Sequence, residues 1–153
     1  MFSFKNIEEY HSALSNGETS CSEAVAWYLS RIHNTRHLNA FVEVFEEECI
    51  KHAEHLDRKR KEGGPFGRLH GVVIAIKDVI CYKDHVTTAA SKILENFVSV
   101  YNSTAVEKLL GEDAIIIGNC NCDEFAMGST NENSAYGRVL NALDESKVPG
   151  GSS

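Results

Sequence analysis

Lys77 stands directly after five apolar residues, Val72-Val73-Ile74-Ala75-Ile76. A lysine acts as a base only when neutral, and its ordinary pKa of about 10.4 keeps it charged at pH 7. Burial in an apolar setting disfavours the ammonium and lowers that value. This is therefore a position where a proton-accepting amine could be prepared. The plainer reading is a lysine closing the exposed end of a strand, with Asp78 beside it, because buried lysines are rare. At the far end of the chain, Val148-Pro149-Gly150-Gly151-Ser152-Ser153 sets two hydroxyls after two glycines. Such a run is either a close backbone turn that presents Ser152 or a flexible polar tail, and composition alone favours the tail.

Other chemistry-bearing groups are weaker candidates. Cys120-x-Cys122 offers two thiolates, but a structural zinc site takes four ligands, commonly with a second pair at characteristic spacing. His70 and His85 fall in no matching pattern, so no metal is expected. Asp123-Glu124 has the form of paired carboxylates for acid–base work, yet adjacent acids are more often solvated or capping, and they stay outside the catalytic set. Arg58-Lys59-Arg60-Lys61 reads as a solvated helix end whose cations suit the C-terminal dipole. The net charge of −7 argues against a surface that grips nucleic acid through phosphates. No apolar run approaches the ~20 residues of a membrane span, and the first ten residues carry no secretory signal. Five cysteines without framework spacing fit a reducing, cytoplasmic setting.

The elements that must position these groups follow from periodicity. Ile7 to Leu14 predicts a helix stopped at Asn16-Gly17. Ser20-x-x-Glu23 predicts a capping box opening a second helix, with stripes at Ala24, Trp27, Tyr28, Arg31 and at Val25, Leu29, Ile32. A short strand at 40–44 and a helix at roughly 46–61 come next, broken at Gly63-Gly64-Pro65. His70 to Ile76 then reads as a strand buried on both faces. Thr104 to Leu110 suits a helix, Ala114 to Ile117 a second buried strand, and Gly118 to Asn133 a polar segment. The order strand, helix, strand implies an α/β arrangement. Residues 1–65 form a helical segment with one short strand, and residues 66–153 begin an α/β core.

Three blocks in order resemble the amidase-signature family. They are Gly67-Arg68-Leu69-His70-Gly71 through Lys77-Asp78, then Asp123-Glu124-Phe125-Ala126-Met127-Gly128-Ser129 through Gly137, then Val148 through Ser153. Ala90-Ser91-Lys92-Ile93-Leu94-Glu95-Asn96-Phe97 is similar to the branch of amidotransferase A subunits that serve Glu-tRNA(Gln). Leu38-Asn39-Ala40-Phe41, after the opening helix, is similar to the same branch. The resemblance covers nearly the whole chain and implies the N-terminal part of that family's fold, a mixed β-sheet flanked by helices.

By resemblance, Lys77 is the general base and Ser152 the bridging serine, preceded by a cis peptide bond. Gly150, Gly151 and Ser153 support that turn, and Met127, Gly128 and Ser129 line the substrate pocket. The implied reaction is hydrolysis of glutamine to supply ammonia for converting Glu-tRNA(Gln) to Gln-tRNA(Gln). The implied partners are a B subunit, which holds the tRNA, ATP and Mg²⁺, and a small C subunit; no cofactor is expected in this chain. The family's nucleophilic serine and oxyanion loop come later than Ser153, so these 153 residues alone are expected to be inactive. A stand-alone amidase of the same family and a non-catalytic partner-binding module are the alternatives. Gly118-Asn119-Cys120-Asn121-Cys122 departs from the family's more usual Gly-Lys-Thr-Asn-Met, a change at the pocket rim that leaves the relay untouched.

Overall fold

The computed structural model describes residues 4–153. Its helices are α1 (Ile7–Asn16), α2 (Cys21–Asn34), α3 (Glu46–Lys61) and α4 (Thr104–Gly111), and its strands β1 (Phe41–Val44), β2 (Val73–Lys77) and β3 (Ile115–Cys120). The strands form one sheet in the order β1-β3-β2. β1 runs antiparallel to β3, pairing Phe41 with Cys120 and Val44 with Gly118. Ile115 donates its N–H to Val72 and Asp78 donates to Cys120. Both bonds advance together along the chain, so β2 and β3 run parallel. The sheet is therefore mixed and the fold α/β.

Contacts gather the chain into two units. The first takes the chain up to Asn34, then Phe45–Ile74 and Lys108–Ile117; the second takes Thr35–Val44, Ala75–Glu107 and Gly118–Ser153.

In the first unit, local signals act as their chemistry predicts. Asn6 caps α1 by accepting the Glu9 N–H at 2.8 Å, and Gly17 closes it at φ 73°. Both halves of the Ser20–Glu23 capping box form, at 3.1 and 3.2 Å. The Asp57 carboxylate on α3 adds a second cap, accepting the N–H groups of Cys21 and Ser22 and the Ser22 hydroxyl. The α2 face that packs on α3 carries Cys21, Ala24, Val25 and Leu29, while Tyr28 of the first stripe is exposed. On α3, Cys49, Ala53 and Leu56 are buried.

The basic end of α3 departs from a simple solvated terminus. Lys59 bonds both oxygens of Asp113 at 2.8 and 2.7 Å, and Arg60 donates to the Leu14 carbonyl. Asp113 also takes the Gly67 N–H and the His70 ring, which tie down the turn that leads into β2. Gly71 completes that turn at φ 73°, with its missing side chain replaced by the Cys21 sulfur, 2.5 Å from where a Cβ would sit. This turn delays the strand: β2 starts at Val73, not His70. Nor is β2 buried on both faces, since Ala75 is exposed and Ile76 alone is buried; within this sheet it is an edge strand, paired only with β3. The central strand β3 is buried along its length until Cys120, extending three residues into the stretch read as a polar segment.

The second unit holds an unusually polar interior. Asp78, Thr87, Thr88, Ser91, Asn119, Asn121, Asp123 and Asn131 are all buried there. Asn121 donates to the carbonyls of Asn39 and Gly137 and accepts from Ser134, and Asn39 donates to three successive carbonyls, 136–138. Irregular backbone is kept in place here largely by these side-chain bonds to fixed carbonyls, although Thr87 Oγ1, Asn119 Oδ1 and Asn131 Oδ1 are buried without a partner.

Candidate active site

Lys77 is the last residue of β2, half-buried. The chain turns immediately after it, with Ile80 donating back to the Lys77 carbonyl at 2.8 Å. Asp78 is fully buried and anchors that turn. Its carboxylate accepts the N–H groups of Thr88 and Ala90 at 3.0 Å and the Thr88 hydroxyl, while its carbonyl accepts from Ala89. Ala89 and Ala90 are thereby held at positive φ, 51° and 53°. Their carbonyls accept the N–H groups of Phe125 and Ala135, and Ser91 donates to Glu124 at 2.6 Å. The Asp78 end of the lysine strand is thus wired to the block that starts at Asp123.

The C-terminal run is a turn, not a tail. Gly150 takes φ 97°, and the Gly151–Ser152 peptide is cis, as the resemblance implies. Lys77 Nζ donates to the Ser152 hydroxyl, joining two residues 75 apart in sequence. The Ser152 carbonyl accepts the Asp123 N–H at 2.7 Å. A Cβ on Gly151 would lie 2.6 Å from the Ser129 carbonyl carbon and the Thr130 nitrogen, so only a glycine lets the turn press this close.

The expected residues are thus brought together unequally. Lys77 and Ser152 meet, Gly150 and Gly151 shape the turn, and Ser129 lies against Gly151. Gly128 packs on Asp123, where a Cβ would fall 2.3 Å from its carboxylate carbon. Met127 is 79% exposed and Ser153 is exposed. Asp78 and Asp123 were legible only as ordinary acids. The one signal that could have singled them out is that Asp78 ends the first family-like block and Asp123 opens the second. Cys120 and Cys122 are free thiols, and burial pushes Cys120 up to about 11, which makes it a poor nucleophile. Among the described residues, no three His, Cys, Asp or Glu side chains converge as metal ligands, and no helix is long and apolar enough to cross a membrane.

A family model described as Amidase matches residues 23–153. The chain belongs to this family. Glutamyl-tRNA(Gln) amidotransferase A subunits are 50% identical over 98% of the chain in Pelodictyon phaeoclathratiforme and 51% identical over 95% in Chlorobium chlorochromatii. The chain spans about a third of the length of each, 32% and 31%. Among solved amidase structures, the peptide amidase of Stenotrophomonas maltophilia superposes with a TM-score of 0.89 at 26% identity, over 99% of this chain and 32% of that one. The corresponding glutamyl-tRNA(Gln) amidotransferase polypeptide of Thermotoga maritima is 32% identical, with a TM-score of 0.68 over 86% of this chain and 26% of that one. The amidase-signature fold and an amide-processing family are therefore established for this chain.

Proposed function

We propose that these residues belong to an A subunit of glutamyl-tRNA(Gln) amidotransferase, in which Lys77 and Ser152 relay the proton for glutamine hydrolysis. The observation that carries this reading is the Lys77–Ser152 hydrogen bond at the cis turn. In the relay, a nucleophilic serine, which family order puts later than Ser153, attacks the glutamine side-chain carbonyl. Its proton passes to Ser152 Oγ as the Ser152 proton passes to Lys77 Nζ. On collapse of the tetrahedral species the same path returns a proton to the departing nitrogen, and ammonia leaves an acyl-enzyme ester that water then hydrolyses. Ser129, pressed against Gly151, with Met127 and Gly128 before it, supplies one wall of the glutamine site. Gly150, Gly151 and Ser153 support the Ser152 turn. The partners are the B subunit, which binds tRNA and uses ATP and Mg²⁺, and the C subunit. No cofactor is assigned to this chain, and the complex is placed in the cytoplasm.

The test is glutamine hydrolysis by the native polypeptide that carries these residues, assembled with its partners. Lys77→Ala and Ser152→Ala are each expected to lower kcat by about 10²–10⁴ with intact assembly, the range of general acid–base contributions. Full activity in both variants would remove the relay from consideration.

The close superposition on a peptide amidase favours a second reading, a stand-alone amide hydrolase. The higher sequence identity to the amidotransferase polypeptides, over almost all of the chain, supports the first reading. Glutaminase activity that rises with tRNA and a B subunit supports the first reading; indifference to both supports the second.

A further inference from the structure

We propose that Asp123 is the positioning residue for Ser152, fixing through its carboxylate and its own N–H the turn on which the Lys77 contact depends. This rests on the relay reading above. Asp123 has no exposed surface. One carboxylate oxygen accepts the Asn131 N–H at 3.0 Å, and the other accepts those of Glu132 and Asn133 at 3.1 Å. The loop is closed on itself by the Glu124 N–H, which donates to the Asn133 carbonyl at 2.8 Å.

Glycines flank the carboxylate. A Cβ on Gly128 would fall 2.3 Å from its carbon, and one on Gly151 would fall 2.5 Å from its Oδ2 and 2.6 Å from the Thr130 nitrogen. The backbone of Gly151 therefore rests directly on the carboxylate and on the loop it gathers. The next residue is Ser152, whose carbonyl takes the Asp123 N–H at 2.7 Å.

A carboxylate removed from water must be satisfied by donors, and peptide N–H groups are donors that cannot swing away. Burial pushes the Asp123 carboxyl up, but the N–H groups of Asn131, Asn133 and Glu132 more than offset this and hold it below the usual range. It stays ionised at neutral pH, an acceptor only. With that acceptor gone, the 130–133 loop loses its centre and Gly151 loses its seat, and the Ser152 hydroxyl drifts from Lys77. A misplacement of about 1 Å in a reacting group costs about 10²-fold in rate. Asp123 itself touches neither the Ser152 hydroxyl nor a reacting atom, so its influence passes through position alone.

The experiment compares glutamine with a γ-aryl ester of glutamate on the native polypeptide in its complex. The relay takes the nucleophile's proton with either substrate, but departing ammonia also needs a proton from it, whereas a departing phenolate does not. For Asp123→Asn we expect kcat on glutamine to fall at least about ten-fold, KM to stay within about two-fold, and ester turnover to fall by a clearly smaller factor than amide turnover. Gly151→Ala, which drives a methyl into the carboxylate from the Ser152 side, should show the same amide-selective loss and serves if Asp123→Asn does not fold. Unchanged glutamine turnover, or equal losses on amide and ester, would overturn the proposal. Lys77→Ala and Ser152→Ala separate the two levels. If they leave glutamine hydrolysis intact, the relay reading fails; if they impair it while Asp123→Asn and Gly151→Ala do not, only the positioning role fails.

Discussion

Asp113 shows at residue scale how a single carboxylate can serve as a structural clamp. Burial pushes it up, but bonds from Lys59, His70 and the Gly67 N–H, with the Lys59 charge, outweigh that and lower it from 3.8 to about 2. A depressed acid stabilises the fold above its unfolded pKa and loses that contribution as pH falls through its folded one. The window is therefore between pH 3.8 and about 2, and the share at stake is about 2 kcal/mol. Denaturant titrations of the native polypeptide across this range should show that loss, and Asp113→Asn should be less stable at neutral pH and flatter below pH 4. A variant that keeps the full acid dependence would assign it to other carboxylates. None of this was visible in the sequence, where Asp113 is one acid near a Gly-Glu-Asp turn and Lys59 one cation in a run of four. Lys77 and Ser152 were legible, because the motifs around them carry the family's order.

At the scale of elements, helix boundaries followed from caps and stripes, since those signals are local. The capping box at Ser20 is an example: its partners lie three residues apart, so spacing alone specifies them. The additional cap from Asp57 comes from a different helix, 35 and 36 residues away from Ser22 and Cys21. Its pKa is lowered because bonds from Ser22 and Cys21 outweigh the upward push of burial. Asp57→Ala is expected to cost about 1–2 kcal/mol and to speed amide exchange in the first turn of α2. Ser20→Ala should cost less, since Asp57 still holds two of the free N–H groups; the reverse order would make the local box the dominant cap. β2 misled for a related reason. A β-branched run says that a strand is apolar, but the elements packed above and below the sheet decide which faces are covered, and here the run begins within the Gly71 turn.

At the scale of the whole molecule, the 153 residues span about a third of their amidotransferase relatives. They also expose large apolar side chains, among them Ile93 at 80%, Val100 at 77%, Met127 at 79% and Leu143 at 98%. Expressed by themselves, they are expected to melt broadly with concentration-dependent aggregation, and to hydrolyse no glutamine. A sharp, reversible transition in a monomer, by calorimetry at two concentrations, would contradict this. By itself the sequence determined the helices, the central strand and the residue types of the proposed relay, because period, capping and motif order act over a few residues. Only the tertiary structure decided that Lys77 meets Ser152, that β2 is an edge strand, and that Asp78 and Asp123 are buried anchors. Those facts depend on which distant backbone donors fold back onto a given side chain, and no local pattern records that.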